Sequence, residues 1–119
     1  MSMNVQTLYD QGFQLRCEGA YREAREVLER VLASTPTHAD AMWQLGLIQG
    51  FEGDFDGSIA TLQKVVQSAP NHHQARYDLA MTYLMLAMND EAFAEFSRLL
   101  TMSISNELRD KVNEQLKYF

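Results

Sequence analysis

An all-α solenoid is the fold this sequence encodes: three helix–turn–helix units in tandem, closed by a seventh helix. A 34-residue period points to it first. Leu8, Gly12, Leu15, Ala24, Leu28, Val31 and Pro36 fall, one period on, at Met42, Gly46, Gln49, Ser58, Leu62, Val65 and Pro70. They fall again at Arg76, Ala80, Tyr83, Ala92, Phe96, Leu99 and Ile104. A fixed period of this length marks a stack of thin units, each unable to bury its apolar face alone. Second, apolar residues recur at spacings of three and four, the period of a helix. Third, the punctuation keeps the same period: Pro36 and Pro70 are 34 apart, as are Gly19 and Gly53. Proline cannot continue a helix, and glycine closes one in a left-handed cap.

These marks predict helices over 5–18 and 21–34, 38–52 and 55–68, 72–87 and 90–102, and a last one over 106–118. Thr37 with Asp40, and Asn71 with Gln74, read as amino-terminal caps. Asp54 and Asn89 read as caps for the second helices of their pairs. Gly12, Gly46 and Ala80 are small where two helices of a pair must approach. Ala24, Ser58 and Ala92 do the same from the second helix, and Leu28, Leu62 and Phe96 fill the space beyond. The last helix carries one apolar stripe, Leu108, Val112, Leu116 and Phe119, opposite a charged face. It reads as a lid on the third unit. No strand, linker or low-complexity tract is expected.

The chain has 119 residues, 46% hydrophobic and 22% charged, with a net charge of −6. That is an ordinary balance for one globular domain. The negative charge disfavours nucleic acid and anionic membranes as partners. One cysteine, Cys17, excludes an intrachain disulfide. Residues 1–14 lack a basic cluster followed by an apolar run, and no stretch is long enough to span a bilayer. A cytoplasmic location is the expectation.

The repeated residues resemble the tetratricopeptide repeat. Repeat two carries Met42, Leu45, Gly46, Gly53-Asp54-Phe55, Ser58, Leu62, Val65 and Pro70. Repeat one carries Leu8, Gly12, Leu15, Gly19-Ala20-Tyr21, Ala24, Leu28, Val31 and Pro36. Repeat three carries Leu79, Ala80, Tyr83, Asn89-Asp90-Glu91-Ala92, Phe96 and Leu99. The resemblance implies a right-handed α-solenoid: a single domain over 1–119, repeats at about 5–38, 39–72 and 73–106, and a capping helix at about 106–118. Gln11 stands where Leu45 and Leu79 stand later, a polar residue suited to an outer end. Arg76 stands where Leu8 and Met42 stand; its stem is expected to pack while its charge reaches water.

The resemblance also implies that the first helix of each repeat lines a concave, partner-binding groove. Its offsets give Gln6, Tyr9, Asp10, Phe13, Arg16 and Cys17 from repeat one. Asp40, Trp43, Gln44, Leu47, Gly50 and Phe51 follow from repeat two, and Gln74, Tyr77, Asp78, Met81, Leu84 and Met85 from repeat three. Of these, Tyr9, Phe13, Trp43, Leu47, Phe51, Tyr77, Met81 and Met85 are the apolar anchors, and Asp10, Asp40 and Asp78 make the surface mildly acidic. The column Tyr9, Trp43 and Tyr77 also has a structural use, packing on the neighbouring helix. Some members of the family clamp a terminal carboxylate through basic and amide groups. The matching positions here are Tyr9, Phe13, Gln44, Gln74 and Asp78, none basic. The expected partner is therefore a protein or peptide, apolar with neutral or basic flanks.

No catalytic constellation stands out, and no cofactor or metal is expected. His38 and His72 lie in equivalent turns a full repeat apart, and His72 and His73 diverge on a helix. Cys17 has no evident base to activate it. A non-catalytic interaction module is the reading. The alternative is a structural repeat protein that assembles with its own copies through its ends or groove.

Overall fold

The computed structural model describes residues 4–119. Among them lie seven helices and no strand: α1 (Val5–Cys17), α2 (Tyr21–Ser34), α3 (Ala39–Phe51), α4 (Phe55–Ser68), α5 (His73–Met85), α6 (Asn89–Leu100) and α7 (Asn106–Leu116). The fold is an all-α helical repeat, and each predicted helix is present. The chain divides between Thr61 and Leu62 into two compact units, and the division falls within α4.

In the first unit α1 pairs with α2, and α3 packs on both. Leu8, Ala24, Val27, Leu28, Val31, Ala41 and Ile48 form its buried core. Each large side chain of that set contributes about 1.5–3 kcal/mol relative to exposure. Gly12 favours the close α1–α2 approach: a Cβ there would lie 2.7 Å from Leu28 Cδ2, which would have to move. Ser58 at the equivalent contact of the next pair donates its hydroxyl to the Gly46 carbonyl at 2.8 Å. Asp54 caps α4 as expected, accepting from the Gly57 N–H at 2.9 Å. Gln11 is exposed, while Leu45 is half-buried.

Three turns repeat one geometry. After α1 the Gly19 N–H reaches the Arg16 carbonyl and the Ala20 N–H the Leu15 carbonyl. After α3 Gly53 and Asp54 repeat this on Gly50 and Gln49, and after α5 Ala87 and Met88 repeat it on Leu84 and Tyr83. This is the Schellman closure, which needs a left-handed residue. Gly19 (φ 80°) and Gly53 (φ 86°) supply it without strain, whereas Ala87 (φ 59°) supplies it with a Cβ.

In the second unit α5 pairs with α6, and α7 lies on α6. Leu62, Val65, Leu79, Ala80, Ala92, Phe96, Leu99, Leu108 and Val112 are buried there. The Ser105 hydroxyl caps α7, accepting from the Leu108 N–H at 3.1 Å. The lower half of the predicted stripe is buried, but Leu116 is half-buried and Phe119 is 46% exposed.

Three local expectations are corrected. Thr37 and Asn71 are not the caps. His38 and His72, one residue on, cap α3 and α5 through their side chains. Asn89 is the first residue of α6 rather than its cap; Met88 holds that position, with no side-chain bond. Arg76 does not carry its charge to water: it is buried and its Nη1 lies 2.7 Å from Glu95 Oε2. A guanidinium on a buried position finds a carboxylate because leaving it unpaired would cost more.

Candidate interaction site

Helices α1 and α3 present the first cluster. Tyr9, Phe13 and Arg16 follow one another at three- and four-residue spacing on α1 and so share a face. The Tyr9 ring is half-buried and stacks on His38 at 5.0 Å. Burial pushes its phenol above the usual value, only partly opposed by the hydrogen bond from Gln44. Phe13 is 40% exposed, with its ring 6.4 Å from that of Tyr9. At the far end of α3, Phe51 is 56% exposed and stacks on Tyr21 at 5.6 Å.

The Arg16 guanidinium lies over both exposed rings, 5.3 Å from the centre of Phe13 and 6.0 Å from that of Phe51. Its Nε donates to Gln44 Oε1, and its Nη2 lies 3.7 Å from the exposed Cys17 sulfur. Gln44 in turn donates through Nε2 to the Tyr9 hydroxyl at 3.4 Å. One buried amide therefore fixes both the arginine and the tyrosine. Cation–π contacts of this kind contribute about 0.5–1 kcal/mol each near a surface. Trp43 and Leu47 are half-buried on α3, and Asp10 and Asp40 are exposed. Asp10 accepts from Gln6 Nε2 at 2.8 Å.

Helix α5 presents the second cluster, in the other unit. Tyr77, Met81 and Met85 recur every fourth residue on one face. Exposure rises along it: Tyr77 and Met81 are half-buried and Met85 is 64% exposed. The Tyr77 ring meets Phe96 edge-on at 5.8 Å, so this member of the aromatic column also packs its own repeat. Asp78 is half-buried, and its carbonyl accepts from the Thr82 hydroxyl at 2.8 Å.

Thus Tyr9, Phe13 and Phe51 come together around Arg16, and Tyr77, Met81 and Met85 form a separate strip on α5. Gln44, expected to face outward, is fully buried instead. Its pivotal role and the Tyr21 platform were not legible from the repeat offsets. Gln44 sits one period from Asp10 and Asp78, and nothing in that polar series marks one member as buried. Among the described residues no group of three His, Cys, Asp or Glu side chains could hold a metal, and no helix is long and apolar enough to cross a membrane.

Comparison with solved structures gives the same architecture. The Yersinia enterocolitica type III secretion chaperone SycD, in complex with a peptide of the translocator YopD, superimposes with a TM-score of 0.89 at 17% identity, over 99% of this chain and 93% of that one. The P58(IPK) TPR domain gives 0.87 at 19% identity, over 98% of this chain and 32% of that one. MamA gives 0.76 at 23% identity, over 93% and 61% respectively. The chain therefore spans about three fifths of MamA and a third of the P58(IPK) domain. At these identities the likeness is one of fold. Among curated proteins no sequence matches this chain. Residues 18–49 and 52–101 each match a family model for the tetratricopeptide repeat. With the 34-residue period and its three equivalent turns, these matches establish that the chain belongs to the tetratricopeptide repeat family.

Proposed function

We propose that this protein is a non-catalytic interaction module that binds peptide or protein segments on exposed apolar faces, one on α1 and α3 and another on α5. The observation that carries the reading is the pair of exposed rings, Phe13 and Phe51, both in cation–π contact with Arg16. Large exposed aromatics with fixed geometry are the usual anchors of a binding surface. Met85 and Met81 add a pliable apolar strip on α5. Asp10 and Asp40 beside the first cluster, and Asp78 on α5, favour a ligand whose apolar residues are flanked by neutral or basic ones. The peptide-bound state of SycD, a chain of the same fold, is consistent with this use of the repeat.

The test is selection from a displayed random-peptide library. Enriched peptides are expected to be apolar with neutral or basic flanks. Their affinity is expected to fall about tenfold or more when an anchor such as Phe51, Trp43 or Tyr77 becomes alanine, with helical circular dichroism unchanged. Peptides that bind the variants as well as the parent would sink the assignment of these faces.

A second reading, self-assembly, rests on Phe93 and Phe119. Their rings lie 5.6 Å apart and both are about half exposed, beside a Tyr118 that is 77% exposed. Light scattering over a range of concentrations separates the two: a strict monomer excludes assembly.

A further inference from the structure

The third repeat departs from the first two at one internal contact. Leu8 and Val27 are both buried and apolar in repeat one. One period on, the same positions hold Met42 and Thr61, and in repeat three they hold Arg76 and Glu95. Arg76 is only 5% exposed, and its Nη1 is taken by Glu95 at 2.7 Å. Its Nε is buried with no acceptor. A buried ion pair in place of an apolar contact does not by itself favour folding. A local break of the repeat rule of this sort is where function is expected.

The pair lies in the wall of a cavity of about 400 Å³ within the second unit. Arg98, Gln63, Gln67 and Tyr83 complete its polar lining. That volume is in the range of small-ligand sites, about 300–1,000 Å³. Gln63 Nε2 donates to the Tyr83 hydroxyl at 2.7 Å, which fixes both groups. Two guanidinium groups face one carboxylate, in a chain whose net charge is −6. Glu95 is committed to Arg76, whereas Arg98 is exposed and makes no ion pair among the described residues. We propose that this cleft binds a small oxyanion, a carboxylate or a phosphate group, between Arg98 and Arg76. The ligand supplies the countercharge that Arg98 lacks, and charge-assisted bonds to the two guanidinium groups set its orientation. The site shares no residue with the apolar faces described above and does not depend on their use.

The test titrates the full chain, labelled with nitrogen-15, with sodium phosphate and separately with sodium succinate. Sodium chloride at matched ionic strength is the control. Saturable shifts are expected at the Arg76 Nε–H and at the amides of residues 63, 83, 95 and 98, with either oxyanion and not with chloride. The anion that saturates at lower concentration distinguishes phosphate from carboxylate. Arg98→Gln, an exposed position that leaves the core intact, is expected to weaken binding about tenfold or more, and Arg98→Lys to restore part of it. Shifts that chloride reproduces, shifts that Arg98→Gln leaves unchanged, or no saturable shift at millimolar anion would each overturn the proposal.

Discussion

His38 and His72 stand 34 residues apart and do the same thing. Each imidazole Nδ1 accepts a backbone N–H three residues on, Ala41 at 3.0 Å and Ala75 at 3.1 Å. A neutral ring with its proton on Nε2 is required, because an imidazolium has no acceptor. Histidine is not among the preferred capping residues, yet here it satisfies an otherwise orphaned donor at the start of α3 and again at α5. His38→Ala is expected to destabilise by about 1 kcal/mol. His38→Asn is expected to recover most of that, less the stacking on Tyr9. Urea unfolding of the three proteins measures it; equal midpoints would show that the cap contributes nothing.

Ala87 tests the turns. It occupies, at φ 59°, the place that Gly19 and Gly53 occupy at 80° and 86°. The left-handed conformation costs an L-residue roughly 1–2 kcal/mol, and glycine gives part of that back through its freer unfolded chain. Ala87→Gly is therefore expected to stabilise by about 0.5–1 kcal/mol. The mirror change, Gly53→Ala, is expected to destabilise by a similar amount, with open space around the new Cβ and only the backbone to blame. A drop in stability with Ala87→Gly would refute the strain argument.

The Arg76–Glu95 pair calls for a double-mutant cycle. Removing Glu95 alone leaves a buried guanidinium uncompensated, a loss on the order of 3 kcal/mol. Replacing both by the residues of repeat one, Arg76→Leu with Glu95→Val, restores an apolar contact and is expected to regain most of that loss. Additive single changes in thermal denaturation would show that the two side chains act independently.

The helices were legible because apolar period and punctuation agree. Pro36, Pro70, Gly19 and Gly53 fix the turns, and the predicted and observed ends of α2 and α4 coincide. What escaped was decided by partners far along the chain. Nothing near Arg76 in sequence announces Glu95, nineteen residues on. Gln44 reads as one more polar residue on an outward face, yet it is buried, its amide satisfied by bonds to Arg16 and Tyr9. The sequence points to caps one residue early, at Thr37 and Asn71, because these have the better intrinsic preference. The geometry of the turn, with His38 N–H bonded to the Thr35 carbonyl and His72 to Ala69, sets the histidine at the cap instead.

The closing helix gives the last prediction. Leu108 is 4% and Val112 0% exposed, while farther along Leu116 is only half-buried. Arg109 ties α7 to the end of α6, with Nη1 and Nη2 each 3.4 Å from the carbonyls of Leu100 and Met102. Phe119 then packs edge-on against Phe96 at 6.2 Å from a partly exposed position. The anchoring is thus concentrated at the start of α7. Leu108→Ala is expected to cost about 2–5 kcal/mol, and Leu116→Ala distinctly less. Deleting residues 106–119 removes the cover from α6, where Phe96 and Leu99 are now fully buried. An eleven-residue helix is marginal on its own in water, so its formation and its packing on α6 support each other. The truncated chain is expected to melt lower and to associate, read by thermal denaturation and light scattering. If it stays monomeric with an unchanged melting temperature, α7 does not stabilise the second unit.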